Sequence, residues 1–130
     1  MRKRKNDALT ISSSHGKGRG VFARRNFCKG DTIEICSIIR IPGNQVRHID
    51  KTILYDYYFG WGRAKKEAAL ALGLGSLYNH SYEPNAAYRK DMSNARIIFI
   101  AIRKIKRGEE VTVNYGGKSD NKKPLWFNVK

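Results

Sequence analysis

One pattern is written twice into this 130-residue chain. Ala23-Arg24-Arg25-Asn26-Phe27-Cys28-Lys29-Gly30-Asp31-Thr32-Ile33 runs in step with Ala101-Ile102-Arg103-Lys104-Ile105-Lys106-Arg107-Gly108-Glu109-Glu110-Val111. Each copy reads as a strand end, an apolar anchor, a basic-Gly-acidic turn and a new strand. Two such corners in one small chain demand short strands and sharp turns rather than long helices.

The remaining pattern agrees. Ala8-Leu9-Thr10-Ile11 begins a strand, and Val21-Phe22-Ala23 is strand-like. Residues 32–41 form another strand, with Ile33, Ile35, Ile39 and Ile41 predicted on one face. Pro42-Gly43-Asn44 breaks it. Val46, Ile49, Ile53 and Tyr57 have helical spacing, which predicts one short helix over residues 45–56. Tyr57 to Trp61 is strand-like, and the apolar Ala68 to Leu72 ends at Gly73 and Gly75. Ala87-Tyr88-Arg89 and Ala95 to Ile102 make a hairpin around Asp91-Met92-Ser93-Asn94. Val111-Thr112-Val113 is the last strand. The expected fold is mainly β with short helical segments. A basic arm over residues 1–7 precedes one domain over residues 8–130, whose segment 116–130 folds back.

Lys and Arg number 26 against 11 Asp and Glu, a net charge of +15. Such a field draws a protein to nucleic acid or acidic surfaces without determining its fold. No apolar run is long enough for a transmembrane helix, and the basic start lacks the apolar stretch of a Sec-type secretion signal. The expectation is an intracellular protein with no membrane partner. Cys28 and Cys36, with His15, His48 and His80, show no zinc spacing, so no metal site is expected and both thiols read as reduced and partly buried.

Three segments carry the chemistry. Gly16-Lys17-Gly18-Arg19-Gly20-Val21-Phe22-Ala23 has glycines at alternate positions that let the backbone approach a ligand. It precedes a strand, unlike a dinucleotide loop. Gly75-Ser76-Leu77-Tyr78-Asn79-His80-Ser81-Tyr82-Glu83-Pro84-Asn85-Ala86 crowds hydrogen-bonding side chains behind an apolar flank. Gly108-Glu109-Glu110-Val111-Thr112-Val113-Asn114-Tyr115-Gly116 follows. In order and form these resemble the SET-domain family of protein-lysine methyltransferases, from about Gly16 to Tyr115. Small stand-alone members from bacteria, archaea and viruses look most similar.

The resemblance implies a fold of several small curved sheets, with the Asn79-His80 segment packed against the C-terminal strand and tail in a pseudoknot. It implies S-adenosylmethionine on one side and a substrate lysine entering by a narrow channel from the other. Lys17, Gly18 and Arg19 then hold the amino-acid end of the cofactor, Asn79 and His80 its polar groups, and Trp126 the adenine face. Tyr55, Tyr57, Tyr58 and Tyr78 wall the cofactor or the channel. Tyr57 is assigned to the cofactor, and Tyr58, Tyr78, Val113 and Tyr115 to the substrate channel. Tyr115 is the expected catalytic residue, by orientation and electrostatics, because a phenol of pKa about 10 is not a ready base. Some relatives carry an aromatic residue where Val113 stands, which leaves the number of methyl groups added open. Glu109 and Glu110 read as a turn and surface charges.

Each residue also has a plainer reading: Tyr115 as a core tyrosine bonded to a backbone carbonyl, His80 as a structural histidine, Gly18 and Gly20 as turn formers. Two functions therefore compete. One is a protein-lysine N-methyltransferase acting on a chromatin or other basic protein. The other is a basic nucleic-acid or chromatin-binding module with the fold and no activity. For an enzyme with this charge, an acidic patch of Asp50, Asp56 and Glu83 is expected near the peptide groove. The small relatives include homodimers.

Overall fold

A computed structural model of the protein describes residues 8–14, 16 and 18–116. Among the described residues nine strands make two sheets, joined by one short α-helix and two 3-10 turns. The first sheet holds β1 (Leu9–Ser14), β2 (Gly18–Ala23), β9 (Glu110–Val113) and β6 (Asn79–His80), in the order β1-β2-β9-β6. The second has the order β4-β5-β3-β8-β7, from β4 (Phe59–Trp61), β5 (Glu67–Ala71), β3 (Thr32–Ile41), β8 (Arg96–Ala101) and β7 (Ala86–Asp91). This is the mainly β architecture expected, and the hairpin around residues 91–94 is β7–β8. Phe27, Phe99, Ile97, Ile105, Val21, Val111 and Val113 are buried between the sheets.

The repeated pattern folds into two corners that grip one another. Phe27 and Ile105 exchange N–H···O bonds of 2.8 and 2.9 Å. The Gly30 N–H donates to Ala101 O (2.7 Å), and the Gly108 N–H to Ala23 O (2.8 Å). The Ala101 N–H donates to Asp31 O and the Ala23 N–H to Glu109 O, both at 2.9 Å. Asp31 accepts from the Cys28 N–H (2.8 Å) as Glu109 accepts from the Lys106 N–H (2.7 Å). Gly30 and Gly108 share φ 93°, a value a Cβ opposes. Each of these bonds made by one corner has its counterpart in the other.

The strand over residues 32–41 has the predicted extent but not the predicted face. Ile33 is buried, whereas Ile35 and Ile39 are 53% and 50% exposed. A register shift between Thr32 and Glu34 against β8 reverses the alternation. Beyond it, Glu34 and Cys36 turn into the core. The helix predicted over residues 45–56 is two pieces, α1 (Gly43–Ile49) and a 3-10 turn (Ile53–Asp56). Thr52 separates them in an extended conformation: its hydroxyl donates to Ile49 O (2.6 Å) and accepts from the Leu54 N–H (3.1 Å). Of the two thiols, Cys36 is buried but Cys28 is exposed. Among the described residues no helix is long and apolar enough to cross a membrane. The arm over residues 1–7, Lys17, Trp126 and the rest of the segment after Gly116 lie outside the described residues.

Candidate active site

Strands β6 and β9 pair in parallel, Asn79 beside Thr112 and His80 beside Val113. Parallel neighbours need a long connection between them, and here it is the whole β7–β8 hairpin and the second corner. Asn85 locks that connection to β9: its side-chain amide donates to Glu110 O (2.8 Å) and accepts from the Thr112 N–H (2.9 Å). The segment carrying Asn79-His80 thus packs on the C-terminal strand as the resemblance implied.

The three chemical segments meet at Asn79. Its Nδ2 donates to Arg19 O (3.1 Å) and to Glu110 Oε2 (2.6 Å), while Glu110 Oε1 accepts from Ser14 Oγ (2.7 Å). Glu110 is therefore no surface charge, contrary to its reading beside Glu109. The signal for it was Gly20. A Cβ at Gly20 would overlap the Glu110 carboxylate and stand 2.7 Å from Asn79 Nδ2, so this glycine makes room for the crossing side chains. At Gly18, with φ 75°, a Cβ would meet nothing within 4 Å, which leaves open space beside the exposed Arg19.

Tyr115 sits where this junction meets a cavity of about 240 Å³. Its N–H donates to His80 Nδ1 (2.9 Å), its hydroxyl donates to Tyr78 O (2.6 Å), and its carbonyl accepts from the Tyr88 hydroxyl (3.2 Å). An accepting Nδ1 places the neutral ring's proton on Nε2. The His80 ring is buried against Tyr82 and Tyr115, with centroids 4.5 and 5.2 Å away. The plainer readings of His80 and Tyr115 describe these bonds correctly, and the bonds are what hold the phenol in the cavity wall. Burial pushes the Tyr115 phenol up to about 12, with the Tyr57 phenol and the Glu110 and Asp56 carboxylates adding to it. It stays protonated at neutral pH.

The cavity gathers Tyr55, Tyr57, Tyr58, Tyr78, Val113 and Tyr115 from separate stretches of chain. Tyr57, expected with the cofactor residues, lies on the same wall as the channel set. The Tyr58 hydroxyl donates to Asp50 Oδ1 (2.8 Å), and burial, then Asp50, pushes that phenol up to about 12. Tyr78 contributes ring and carbonyl, but its hydroxyl is committed to buried Glu34 (2.7 Å). Tyr88 was not singled out from the sequence; burial pushes its phenol up to about 12. Its ring lies 5.0 Å from Phe59, so the two outer strands of the second sheet, β4 and β7, curl around to meet at the cavity. Of the expected acidic patch, Asp56 lines the cavity and Asp50 adjoins it through Tyr58, whereas Glu83 is not in the lining.

The residues at Arg19 fit an amino-acid-bearing cofactor. An exposed guanidinium can meet a carboxylate, the Asn79 and Glu110 oxygens can accept from an ammonium, and the space at Gly18 is open.

The family model described as SET domain matches residues 18–116. A Schizosaccharomyces pombe protein named histone-lysine N-methyltransferase, H3 lysine-37 specific, is 36% identical over 120 residues, which is 92% of this chain and 76% of the relative. Xenopus laevis N-lysine methyltransferase KMT5A-B is 33% identical over 88% of this chain, and the chain spans 38% of its length. A solved Plasmodium falciparum candidate histone methyltransferase matches with a TM-score of 0.64 and 30% identity, over 85% of this chain and 98% of that one. A ctPRC2 structure bound to S-adenosylmethionine has a TM-score of 0.69 over 84% of this chain and 15% of that one; at 23% identity it speaks to the fold. The phenol and the parallel pairing of the Asn79-His80 strand with β9 thus stand in a chain that belongs to the SET-domain family of S-adenosylmethionine-dependent protein-lysine methyltransferases.

Proposed function

We propose that the protein methylates a lysine of a histone or another chromatin protein, with Tyr115 as its catalytic residue. The observation that carries the reading is the Tyr115 phenol in the cavity wall, its proton committed to Tyr78 O at 2.6 Å. Bound S-adenosylmethionine supplies an electrophilic methyl on a sulfonium. The chain's own residues do the rest. Arg19, Gly18 and Lys17 would hold its amino-acid end, Asn79 and His80 would fix the strand beside it, and Trp126 would cover the adenine. The phenol, protonated and with its O–H directed at Tyr78 O, would turn its oxygen toward the N–H and C–H groups of the reacting centre. The tyrosine walls strip water from the lysine side chain, which favours the neutral amine that must attack. Alignment and desolvation, rather than a protein base, drive the transfer.

Asn79→Ala tests the cofactor half. Removing the bridge between Arg19 and Glu110 is expected to weaken S-adenosylmethionine binding by about tenfold, a loss of roughly one charge-assisted hydrogen bond, measured by titration calorimetry. Unchanged affinity would move the cofactor away from this junction.

The net charge of +15 supports a substrate presented on nucleic acid. On this reading the enzyme works inside the cell with chromatin, and residues 8–130 act as one catalytic domain closed by segment 116–130. The test is mass spectrometry of free histones and nucleosomes after incubation with enzyme and cofactor. Methylation of one histone lysine, faster on nucleosomes and suppressed by salt, is expected. Methylation of non-chromatin proteins alone would redirect the substrate, and binding to nucleic acid with no transfer at all would favour the binding-module reading.

A further inference from the structure

Two lysines, Lys65 and Lys90, line the cavity that holds Tyr115. Lys90 lies on β7, two residues beyond Tyr88 and on the same face. Lys65 follows the outer strand β4, and both lysines line the cavity. The fold goes against its own preferences to bring them there. Lys65 is reached through consecutive left-handed residues, Ala64 at φ 58° and Lys65 at φ 53°, a conformation that a Cβ opposes. The stem of Lys65 then lies across β4, where a Cβ at Gly60 would stand 3.0 Å from Lys65 Cβ and 3.1 Å from its Cδ. Lys90 is half-buried, and that burial, with the charge of Lys65 beside it, disfavours its ammonium form. Among the described residues neither lysine has an ion pair; the pairs are Arg40–Glu67 and Arg96–Asp91. Of the nearby acidic residues, Asp56 lines the cavity within the tyrosine segment, and Asp50, at the end of α1, adjoins it through its bond from the Tyr58 hydroxyl.

Like charges side by side, Lys90 half-buried and Lys65 exposed on strained backbone, are relieved by a bound anion. We propose that Lys65 and Lys90 together receive an anionic side chain of the substrate, a carboxylate or a phosphate within a few residues of the target lysine, and so select which lysines are methylated. The proposal rests on the protein-lysine methyltransferase reading and adds the sequence context it acts on. The pair sets a cationic subsite against the acidic one at Asp50 and Asp56, so a substrate of mixed charge is read in one orientation.

The test uses the full chain, S-adenosylmethionine and a set of peptides with one lysine each. A neutral reference peptide is compared with peptides carrying a single Glu or phosphoserine at each position within three residues of the lysine. At one position the anion is expected to raise kcat/KM about tenfold through KM, with phosphate ahead of carboxylate and the advantage shrinking as salt is added. In Lys65→Gln/Lys90→Gln the ratio of anionic to neutral peptide falls to about one, Lys65→Arg/Lys90→Arg restores it, and Lys65→Glu/Lys90→Glu inverts it toward a basic residue at that position. The single variants Lys65→Gln and Lys90→Gln each give a partial loss if the double variant does not fold. No favoured position, or a preference that survives both substitutions, overturns the proposal while leaving methyl transfer to the neutral peptide intact. Weaker cofactor binding in the double Gln variant would assign the pair to the cofactor carboxylate, and methyl groups on Lys65 or Lys90 in peptide-free controls would assign it to self-modification. Either result overturns the proposal. Failure of the broader reading looks different: no peptide is methylated.

Discussion

Tyr115→Phe is expected to fold, to bind cofactor, and to transfer methyl groups about 10²–10³ times more slowly, the usual loss when one preorganised polar group is removed from a reacting centre. The substitution deletes one oxygen and leaves the Tyr115 N–H on His80 Nδ1 and the carbonyl under Tyr88. Stability therefore falls by only about 1 kcal/mol, for the single bond to Tyr78 O. Single-turnover kinetics with saturating cofactor separates this loss from a binding defect. The pH dependence gives the sign of the phenol's role. A free lysine amine has a pKa of about 10.4, so rates rise with pH as the substrate deprotonates. The Tyr115 phenol, pushed up to about 12, stays protonated through that range. Wild type and Tyr115→Phe are then expected to show profiles of the same shape at different heights. A bend present only in the wild type would mean that the phenol titrates during the reaction, and the orienting role would have to be replaced by proton transfer.

Glu34→Ala is expected to be the most destabilising single change outside the apolar core, at about 3–5 kcal/mol. Glu34 is 7% exposed and accepts from the Tyr78 hydroxyl (2.7 Å) and the Leu74 N–H (3.0 Å). The Cys36 thiol lies beside it; burial, then Glu34, pushes that thiol up. Alanine leaves these donors without their acceptor and opens a void beside Phe99, on which Tyr78 stacks at 4.4 Å. Urea unfolding reads the loss as a lower midpoint at unchanged slope. Glu34→Gln, which keeps the volume and one acceptor oxygen, is expected to lose less than half as much. The effect reaches the chemistry, since the Tyr78 carbonyl that accepts the hydrogen bond of the Tyr115 hydroxyl belongs to the residue whose ring Glu34 holds. An alanine variant of wild-type stability would remove Glu34 from that chain of contacts.

Much of this site can be read before any fold is known. Asn79, His80 and Tyr115 are distinguished by their neighbours, and the paired corners announce themselves as repeated text. What stayed hidden has physical causes. The face of residues 32–41 is reversed by one extra residue at Thr32–Glu34, and periodicity cannot register a bulge, because a slip of one residue exchanges inside for outside. For the same reason the alternation gives no hint that Glu34 is a core acid. The break in the 45–56 helix depends on one hydroxyl of Thr52 making two bonds, which competes with the helix on nearly equal terms. Glu110 was misread because a carboxylate beside a turn usually faces water, and only the strand pairing of Val21 with Val111 carries it over Gly20. The Lys65–Lys90 pair comes from opposite edges of a curled sheet, a proximity that no local pattern encodes.

The mutual grip of the two corners, continued by the β3–β8 pairing, turns everything between Asp31 and Ala101 into a ring fastened at its base. Closing a ring costs entropy that grows only logarithmically with its length, about 0.6 kcal/mol for each doubling. Residues added or lost in the excursion from Gly43 to Lys66 therefore change the closure cost little, and act instead on the cavity wall that Tyr55, Tyr57 and Tyr58 supply. The fastening and the strand that delivers Tyr115 thus tolerate a change of length that the tyrosine wall of the cavity, built from the same excursion, would feel directly.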